Sequence, residues 1–275
     1  MQFLLKLLIV NFLGYLALVA GKHGHKPQTI CLTADKSDCI VSPAGNVLIY
    51  GGSGIFGSFL VDFFHDHQYF VTNVDFKKNE DADLNVLLHS NLTFEQQAFI
   101  VANAIPDKIR FNAIICTKSG WTDKEGTLGS RDFLRNAQQV FKENLWSSLI
   151  AANLAPAYLN ENGVLILMGG QLALKPMPSM IAYGVAKAAV HQLARSVGAD
   201  GSGLPRGAKA YAILPASLTK GLQKKKITPN DIWSPLKDLA RTIFSWIDNR
   251  NFAPPSGSLV QFLMSDDKTD IVIST

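Results

Sequence analysis

A short glycine-rich segment constrains the fold of this chain more than any other feature. The segment Gly52-Ser53-Gly54-Ile55-Phe56-Gly57 directly follows the apolar run Val47–Tyr50 and precedes a helix-forming stretch. In a strand–turn–helix unit that binds a dinucleotide, the first glycine allows a tight turn and the second lets the backbone approach the diphosphate. The third glycine lets the helix pack closely on the strand. We assign these three tasks to Gly52, Gly54 and Gly57.

The residues after this turn extend the prediction to a coenzyme site. Backbone N–H groups around Gly54, Ile55 and Phe56 open the helix, where free donors and the helix dipole favour a phosphate. Asp75 ends the next apolar stretch, 18 residues after the last glycine, close to where a carboxylate accepts hydrogen bonds from the adenosine ribose. This carboxylate repels the extra phosphate of NADP, so the sequence favours NADH. NADPH remains open because Lys77-Lys78 follow, although we interpret them as an exposed turn.

Apolar strands alternate with helical patterns from Asn46 onward, which is typical of a parallel sheet with crossover helices. The predicted strands are Val47–Tyr50, Tyr69–Asp75, Ala113–Thr117, Gly163–Met168, Ala210–Leu214 and Ser258–Met264. The predicted helices run from the glycines to His67, over Glu95–Ala104, Phe133–Leu159 with a break near Pro156, Ile181–Val197 and Ser234–Asp248. The predicted fold is a single α/β domain over residues 46–275, a Rossmann-type, doubly wound parallel sheet with helices on both faces.

A second motif supplies candidate chemistry. Tyr183 and Lys187 are four residues apart in a helical pattern, so they share one face of the helix. A free phenol titrates near 10 and is a reluctant acid at neutral pH. A neighbouring ammonium stabilises the phenolate and lowers that pKa. After a dinucleotide fingerprint, the pair indicates a nicotinamide enzyme with a phenol as its acid rather than an ordinary surface pair.

The N-terminal 45 residues differ from the rest of the chain. Leu7 to Ala20 is apolar except for Asn11, so residues 1–21 form a hydrophobic leader. The leader is marginal for a membrane span and fits the apolar region of a secretory signal better. Signal, membrane anchor and simple extension all remain open. Residues 22–45 are polar and aperiodic, which predicts a linker of low order.

Composition argues for a globular chain that does not bind nucleic acid. Hydrophobic residues make up 47% of the sequence and charged residues 17%, which suits a folded core. The net charge of +4 comes from scattered lysines and arginines, apart from Lys224-Lys225-Lys226. We predict no metal site.

Cysteines and a sequon leave the compartment open. Cys31 and Cys39 lie in the linker and would be able to pair if the protein is secreted. Cys116 lies in an apolar run and is expected to be a buried thiol. Asn91 begins an Asn-x-Thr triplet, a possible glycosylation site.

From residue 46 to the C-terminus the chain resembles the short-chain dehydrogenase/reductase family, and within it the dihydropteridine reductases. The wider resemblance rests on the glycine segment and on the Tyr-x-x-x-Lys motif. The narrower one rests on the Tyr-Gly-Gly-x-Gly-x-x-Gly-Ser segment at 50–58, Ser119-Gly120-Trp121, Met180-Ile181, Tyr183-Gly184, Ala186-Lys187, Ala189-Val190-His191-Gln192-Leu193, Leu214-Pro215 and Ser256-Gly257-Ser258-Leu259.

This resemblance implies hydride transfer from NADH to a quinonoid dihydropteridine, which regenerates the tetrahydropteridine. It assigns Tyr183 as the proton donor and Lys187 as the residue that supports the phenol and binds the nicotinamide ribose. Asn144 would anchor a water of a proton relay. Trp121 would form a wall of the pterin pocket, and Thr219 would contact the carboxamide of the coenzyme.

Two departures from the wider family bear on the substrate. Where carbonyl-reducing relatives have a serine that holds the substrate carbonyl, this chain has Gly170. The same position lacks a serine in the pterin enzymes, whose substrate is a quinonoid C=N system, so Gly170 is expected at the substrate. The second departure is Thr117-Lys118 in place of small residues, from which we expect a lysine near the nicotinamide. Lys224 to Lys226 would lie in a mobile loop on the substrate side.

The resemblance also implies a homodimer in a cytoplasmic location. Helices over 133–159 and 183–197 would pack against their copies through apolar stripes such as Leu145, Leu149 and Ala152. Membrane contact or export would come only through residues 1–21. Two rival functions remain open: a short-chain reductase for another carbonyl or quinone, and an inactive, tethered nucleotide-binding protein.

Overall fold

The structure is a computed structural model, and it describes residues 29–31, 39–41, 43–120, 128–215, 236–265 and 268–274. The hydrophobic leader, Trp121, Thr219 and the run of three lysines lie outside the described residues. Within the segment predicted as a linker, two short strands pair antiparallel, β1 (Thr29–Cys31) and β2 (Cys39–Val41). Their register places Cys31 opposite Cys39. The pairing of these cysteines as a disulfide stays a prediction.

Strands and helices alternate through the rest of the chain. The strands are β3 (Gly45–Tyr50), β4 (Tyr69–Asp75), β5 (Leu84–Leu87), β6 (Phe111–Cys116), β7 (Leu159–Met168), β8 (Lys209–Pro215), β9 (Leu259–Ser265) and β10 (Lys268–Ser274). The α-helices are α1 (Ile55–Asp66), α2 (Phe94–Ala104), α3 (Phe133–Phe141), α4 (Ser147–Tyr158), α5 (Ile181–Gly198) and α6 (Leu236–Asp248). A π-helical turn, Lys142–Trp146, joins α3 to α4, and short 3-10 turns cover Gln171–Leu174 and Arg250–Phe252.

The eight strands form one sheet in the order β10-β9-β8-β7-β6-β3-β4-β5. All neighbours are parallel except β9 and β10. The chain runs outward from β3 to one edge and then returns to build the other half from β6. This reversal creates a crevice at the carboxyl ends of β3 and β6, where ligands bind in sheets of this kind. The predicted doubly wound α/β fold is confirmed.

Alternate residues of each central strand enter two separate cores. Leu48 of β3 packs into the core covered by α2, α4 and α5, whereas Val47 and Ile49 pack into the core covered by α1 and α6. Central strands are therefore apolar on both faces, which explains the continuous apolar runs in the sequence. A third, smaller cluster joins α3 to α5 through Ala137, Val140, Ala182 and Ala186.

Besides the two short strands in the predicted linker, the prediction of secondary structure was wrong or incomplete in three places. The helix over 133–159 is interrupted by the π turn, and Pro156 is accommodated within the last turn of α4. Strand β5 was missed because four residues are too few to show a period. Strand β10 was missed as well. It pairs antiparallel with β9, and such a pair needs only a short connection rather than a crossover helix.

None of the helices in the described part of the chain has the length and apolar character needed to cross a membrane.

Helix α5 carries the tyrosine–lysine motif, and its C-terminal end is fixed by close backbone packing. A Cβ added at Gly198 would collide with the backbone of Gly257 in the segment before β9. In contrast, a Cβ at Gly184 of the same helix would make ordinary contacts, the nearest 3.4 Å from the side chain of Met177. Only glycine fits at the end of α5, so the helix is held against the sheet.

This packing predicts opposite effects for two glycine-to-alanine substitutions in one helix. Alanine normally stabilises a helix interior by up to about 1 kcal/mol relative to glycine. We therefore expect Gly184→Ala to raise the free energy of unfolding. For Gly198→Ala we expect the opposite effect, because the added Cβ collides with the backbone of Gly257. The free energy of unfolding should fall by roughly 1–3 kcal/mol. Urea denaturation of both variants measures the difference. Equal stabilities would contradict the packing described above.

Candidate active site

The glycine turn leaves β3 through a backbone conformation that only glycine adopts readily. The residue with the left-handed conformation is Gly51, with φ +100°, and its N–H donates to the carbonyl oxygen of Val74 at 2.8 Å. The assignment of the tight turn to Gly52 was therefore wrong. Gly52 is required for another reason, because a Cβ there would lie 2.5 Å from the Asn73 side-chain oxygen.

The first turn of α1 packs directly on this glycine turn. A Cβ at Gly57 would collide with the carbonyl oxygen of Gly51, so the helix and the turn touch backbone to backbone. At Gly54 the nearest atom to an added Cβ is the same oxygen, 3.3 Å away. No side chain caps α1, whose N-terminal residues are Ile55 and Phe56. The N–H groups of this first turn therefore have no side-chain acceptor and suit an anion.

Neighbouring strands hold the turn in place. Thr117, directly after β6, donates through its hydroxyl to the carbonyl oxygen of Gly51 at 3.1 Å. Asn79, in the loop after β4, donates through its side-chain amide to the carbonyl oxygen of Gly52 at 2.7 Å. Three adjacent strand ends are thus connected at the crevice.

Asp75 lies at the end of β4 beside the turn, with its carboxylate almost fully buried. One oxygen accepts from the backbone N–H of Ser53 at 3.0 Å. The other accepts from the backbone N–H of Phe76 at 2.7 Å and from the Lys118 ammonium at 3.1 Å. Lys118 therefore reaches across the end of β3 to Asp75, and the expectation that its ammonium approaches the nicotinamide was wrong.

A cavity of about 520 Å³ opens beside this ion pair. Tyr50, Phe76 and Lys118 line it from the strand ends, and Gln97 and Glu143 line it from the helical side. The Tyr50 hydroxyl is buried and has no hydrogen-bond partner among the described residues. Burial, with the nearby Cys116 and Asp75, raises the pKa of Tyr50, so this hydroxyl stays protonated. A buried unpaired donor is costly, and a polar ligand in the cavity would satisfy it.

Tyr183 and Lys187 meet at the other side of the crevice. Both lie on α5, and the Lys187 ammonium is 5.7 Å from the centroid of the Tyr183 ring. Lys187 is completely buried and donates to the carbonyl oxygen of Met168, the last residue of β7, at 3.0 Å. A cation within a few ångströms of a phenol oxygen stabilises negative charge on that oxygen.

Burial changes the acidity of this lysine without abolishing its charge. Loss of hydration lowers the pKa of Lys187 to about 8, partly opposed by Cys116. Because this value still lies above 7, the protonated form predominates at neutral pH. The site therefore holds a positive charge beside Tyr183.

Gly170 lies directly against the tyrosine hydroxyl. A Cβ added at Gly170 would be 3.4 Å from the Tyr183 hydroxyl oxygen and 3.4 Å from Cγ of Lys187. A side chain at this position would thus touch the phenol. In this chain the phenol instead faces bare backbone, with no hydroxyl at position 170 to bind a carbonyl oxygen.

His191 is a residue of this site that the sequence analysis named only as part of the narrower resemblance, without a role. Its Nε2 accepts a hydrogen bond from the backbone N–H of Gly170 at 3.1 Å. A Cβ at Gly169 would lie 2.7 Å from the same ring. Burial, with Lys187 and Arg195 nearby, lowers the pKa of His191 to about 4, so the ring is neutral and accepts at physiological pH. Two consecutive glycines opposite a histidine on the next helix are the only sequence signal for this contact.

Asn144 lies in the π turn and is completely buried. Its oxygen accepts from the Ser119 hydroxyl at 3.1 Å and from the Gly120 N–H at 3.2 Å. Its amide donates to the carbonyl oxygens of Gly120 and Val140, both at 2.9 Å. All four hydrogen-bonding positions of the side chain are therefore used. Asn144 anchors the loop after β6, and its role in a proton relay stays a prediction.

Comparison with known proteins identifies the family. Residues 76–271 match the family model described as enoyl-(acyl carrier protein) reductase. The dihydropteridine reductase of Dictyostelium discoideum is 32% identical over 220 residues, which are 79% of this chain and 94% of that protein. The chain belongs to the short-chain dehydrogenase/reductase family. It is therefore related to oxidoreductases, and the predicted kinship with dihydropteridine reductases is confirmed.

Solved structures of this family share the fold. A short-chain dehydrogenase family protein from Francisella tularensis matches with a TM-score of 0.65 at 18% identity, covering 79% of this chain and 96% of that one. A double mutant of a Serratia marcescens short-chain dehydrogenase/reductase matches with a TM-score of 0.67 at 14% identity, covering 80% and 96%. Aldohexose dehydrogenase from Thermoplasma acidophilum reaches 0.65 at 13% identity, covering 79% and 91%. At such identities the likeness concerns the fold alone.

The neutral His191 predicts a specific dependence of stability on pH. Its pKa in the folded protein, about 4, lies below the ordinary value of 6.5. The unfolded chain therefore binds the proton first, and this contribution to stability is lost as the pH falls from 6.5 towards 4. His191→Gln retains an acceptor for the Gly170 N–H but does not titrate.

Between pH 7 and pH 4.5, we expect the wild-type free energy of unfolding to fall by roughly 2 kcal/mol more than that of His191→Gln. Urea denaturation at a series of pH values measures both curves, with groups common to both proteins cancelling. Parallel curves would show that the ring is not held neutral in this way.

Proposed function

We propose that this protein transfers hydride from NADH to a quinonoid dihydropteridine and so regenerates the tetrahydropteridine. The observation that carries the proposal is the bare backbone of Gly170 beside the Tyr183 hydroxyl, with Lys187 behind it. The relative named dihydropteridine reductase supports the substrate class. Tyr183 can donate a proton here, but position 170 lacks the serine hydroxyl that holds the substrate carbonyl in carbonyl-reducing relatives.

The residues present fit a nicotinamide dinucleotide. The uncapped first turn of α1 and the close-packed glycine turn suit a diphosphate. Asp75 at the end of β4 suits the adenosine ribose. The cavity beside it is lined by Tyr50, whose buried hydroxyl has no hydrogen-bond partner among the described residues. We therefore infer that Gly52, Gly54 and the residues up to Gly57 bind the phosphates. The contact of Thr219 with the carboxamide remains part of the proposal.

Each catalytic residue then has a defined task. When bound, the reduced nicotinamide supplies the hydride that the pterin ring accepts. Tyr183 supplies the accompanying proton to a ring nitrogen, directly or through water. Lys187 stabilises the resulting phenolate through its charge and is expected to bind the nicotinamide ribose. Trp121 is proposed as a flat wall for the pterin, because an aromatic side chain stacks on a flat heterocycle.

The absence of a side chain at Gly170 favours this substrate over a ketone. In acyl-transfer enzymes, loss of one donor to a developing oxyanion costs about 3 kcal/mol, and a ketone at this site would lack such a donor. A quinonoid C=N system is protonated at nitrogen and does not depend on that hydroxyl. The geometry at Tyr183 also argues against an inactive nucleotide-binding protein, since both the phenol and the ammonium are in place.

Substitution of the phenol tests the proposal directly. Tyr183→Phe should lower kcat with NADH and quinonoid dihydropterin by roughly 100-fold or more, the range of general-acid contributions. The NADH dissociation constant should stay close to the wild-type value, because the substitution retains Lys187, Asp75 and the phosphate contacts at the glycine turn. Stopped-flow turnover and fluorescence titration measure the two quantities.

The matched control is Tyr158→Phe, which removes a hydroxyl that donates to the Ala102 carbonyl oxygen at 2.8 Å, away from the crevice. It should turn over at the wild-type rate. An unchanged rate for Tyr183→Phe would refute the assignment of the proton donor. A preference of the wild-type protein for ketones over quinonoid dihydropterin would favour the rival carbonyl reductase.

We further propose a homodimer formed by α3, α4 and α5 with their copies. Leu145, Leu149 and Ala152 are only half-buried within one protomer. Leu134 of α3 and Val185 of α5 are exposed by 77% and 53%, so both helices present apolar side chains to their surroundings. Burial of such side chains against a second copy is favourable. A cytoplasmic location is proposed from the same resemblance, since the reaction draws on reduced coenzyme inside the cell.

A charge on this face should oppose dimerisation. We expect Val185→Glu to shift the protein from dimer to monomer at micromolar concentration, because an unpaired carboxylate would be buried in the interface. Sedimentation equilibrium measures the mass. Phe99→Glu, at a 69% exposed position on α2, places the same charge elsewhere and should remain dimeric. A wild-type protein that is monomeric throughout would remove the dimer from the proposal.

A further inference from the structure

We propose that Lys118 lets this protein accept NADPH as well as NADH, because its ammonium admits the 2′-phosphate of NADPH beside Asp75. The inference rests on the proposed function only in its use of a nicotinamide dinucleotide. The motivating observation is the ion pair between Lys118 and Asp75, two residues on different strand ends that meet at the ribose position of the crevice.

The Asp75 carboxylate retains room for one ribose hydroxyl. One of its oxygens accepts from Phe76 and from Lys118, while the other accepts from Ser53 alone among the described residues. A carboxylate oxygen accepts about two hydrogen bonds, so one position remains on the oxygen bonded to Ser53. Two groups bonded to one carboxylate lie within roughly 3–5 Å of each other. A ribose oxygen on Asp75 is thus near the Lys118 ammonium.

Lys118 is held in position and still has donors to offer. Its ammonium lies 4.8 Å from the centroid of the Phe76 ring, so both the ring and the carboxylate fix it. Its side chain is 27% exposed, and it lines the 520 Å³ cavity. An ammonium has three N–H donors, of which Asp75 takes one. No acceptor among the described residues takes the other two, which leaves them for an oxygen anion that enters the cavity.

Charge decides which coenzyme this pocket accepts. A lone buried carboxylate repels a ribose phosphate, but the ammonium 3.1 Å away cancels the charge of Asp75. Among the described residues, the remaining charged side chains that line the cavity are Lys142 and Glu143, which also cancel. Lys78 does not serve this purpose, because its ammonium is paired with Glu80 at 2.6 Å on an exposed turn. The described part of the pocket is therefore neutral overall, with a cation beside the carboxylate of Asp75.

The test measures binding of two adenosine fragments to the full-length protein and needs no catalytic turnover. The probes are 5′-AMP and 2′,5′-ADP, which differ only in the 2′-phosphate. We expect wild-type protein to bind 2′,5′-ADP at least as tightly as 5′-AMP in isothermal titration. Lys118→Met keeps the length of the side chain and removes the charge. This variant should bind 2′,5′-ADP roughly tenfold or more weakly than wild type, while its affinity for 5′-AMP should change by less than about threefold.

Two further variants make the result specific. Lys118→Arg retains the charge and should keep the affinity ratio within about threefold of wild type. Lys78→Met removes a nearby charge and should leave the ratio unchanged. Added salt should reduce the effect of Lys118, because the interaction is electrostatic and partly exposed.

The outcomes separate this inference from the proposed function. If Lys118→Met binds both probes with the wild-type ratio, the inference is overturned while the coenzyme site stands. The same holds if wild-type protein binds 5′-AMP far more tightly than 2′,5′-ADP. If wild-type protein binds neither probe at millimolar concentration, the coenzyme site itself is wrong. Retained binding of 5′-AMP by each variant shows that it is folded.

Discussion

The contact between the first turn of α1 and the glycine turn after β3 is the constraint on which the crevice depends. Gly57 packs against the backbone of Gly51 and leaves no room for a side chain, while a Cβ at Gly51 would lie 2.8 Å from the backbone nitrogen of Lys118. The contact brings the N–H groups of α1 to the carboxyl ends of the strands. Hydrogen bonds from Thr117 and Asn79 to the same turn connect β6 and β4 to it. This one backbone contact fixes the turn. As a result, the N-terminus of α1, the Asp75 carboxylate and the cavity lie next to one another.

The opposite side of the crevice depends on a buried cation. Lys187 loses its hydration completely, and this burial is costly for an ammonium. The Met168 carbonyl oxygen provides part of the compensation, and the charge remains because its pKa stays near 8. His191 holds Gly170 from the other side and stays neutral, which avoids a second positive charge next to Lys187. The backbone of Gly170, next to the Tyr183 hydroxyl, thus lies between the charged side chain of Lys187 and the neutral side chain of His191.

Features that depend on the local pattern of residues were predicted correctly, while contacts between distant segments were not. The periodic patterns of apolar residues predicted the strands of the sheet and the helices that connect them, because periodicity is a local property. The position of Lys118 depended on the neighbouring strand order, because it reaches Asp75 only across the end of β3. The use of Asn144 as an anchor for the loop after β6 depended on the π turn, for which the sequence carries no period.

The sequence by itself determined the α/β class, the position of the glycine turn and the pairing of Tyr183 with Lys187 on one helical face. These features depend on residue spacing within one segment, so the sequence is enough to predict them. Only the tertiary structure decided that Gly51 rather than Gly52 takes the left-handed conformation, that His191 supports Gly170, and that Lys118 neutralises Asp75. Each of these depends on which strand ends meet at the crevice. That arrangement is set by the packing of the whole sheet rather than by local sequence.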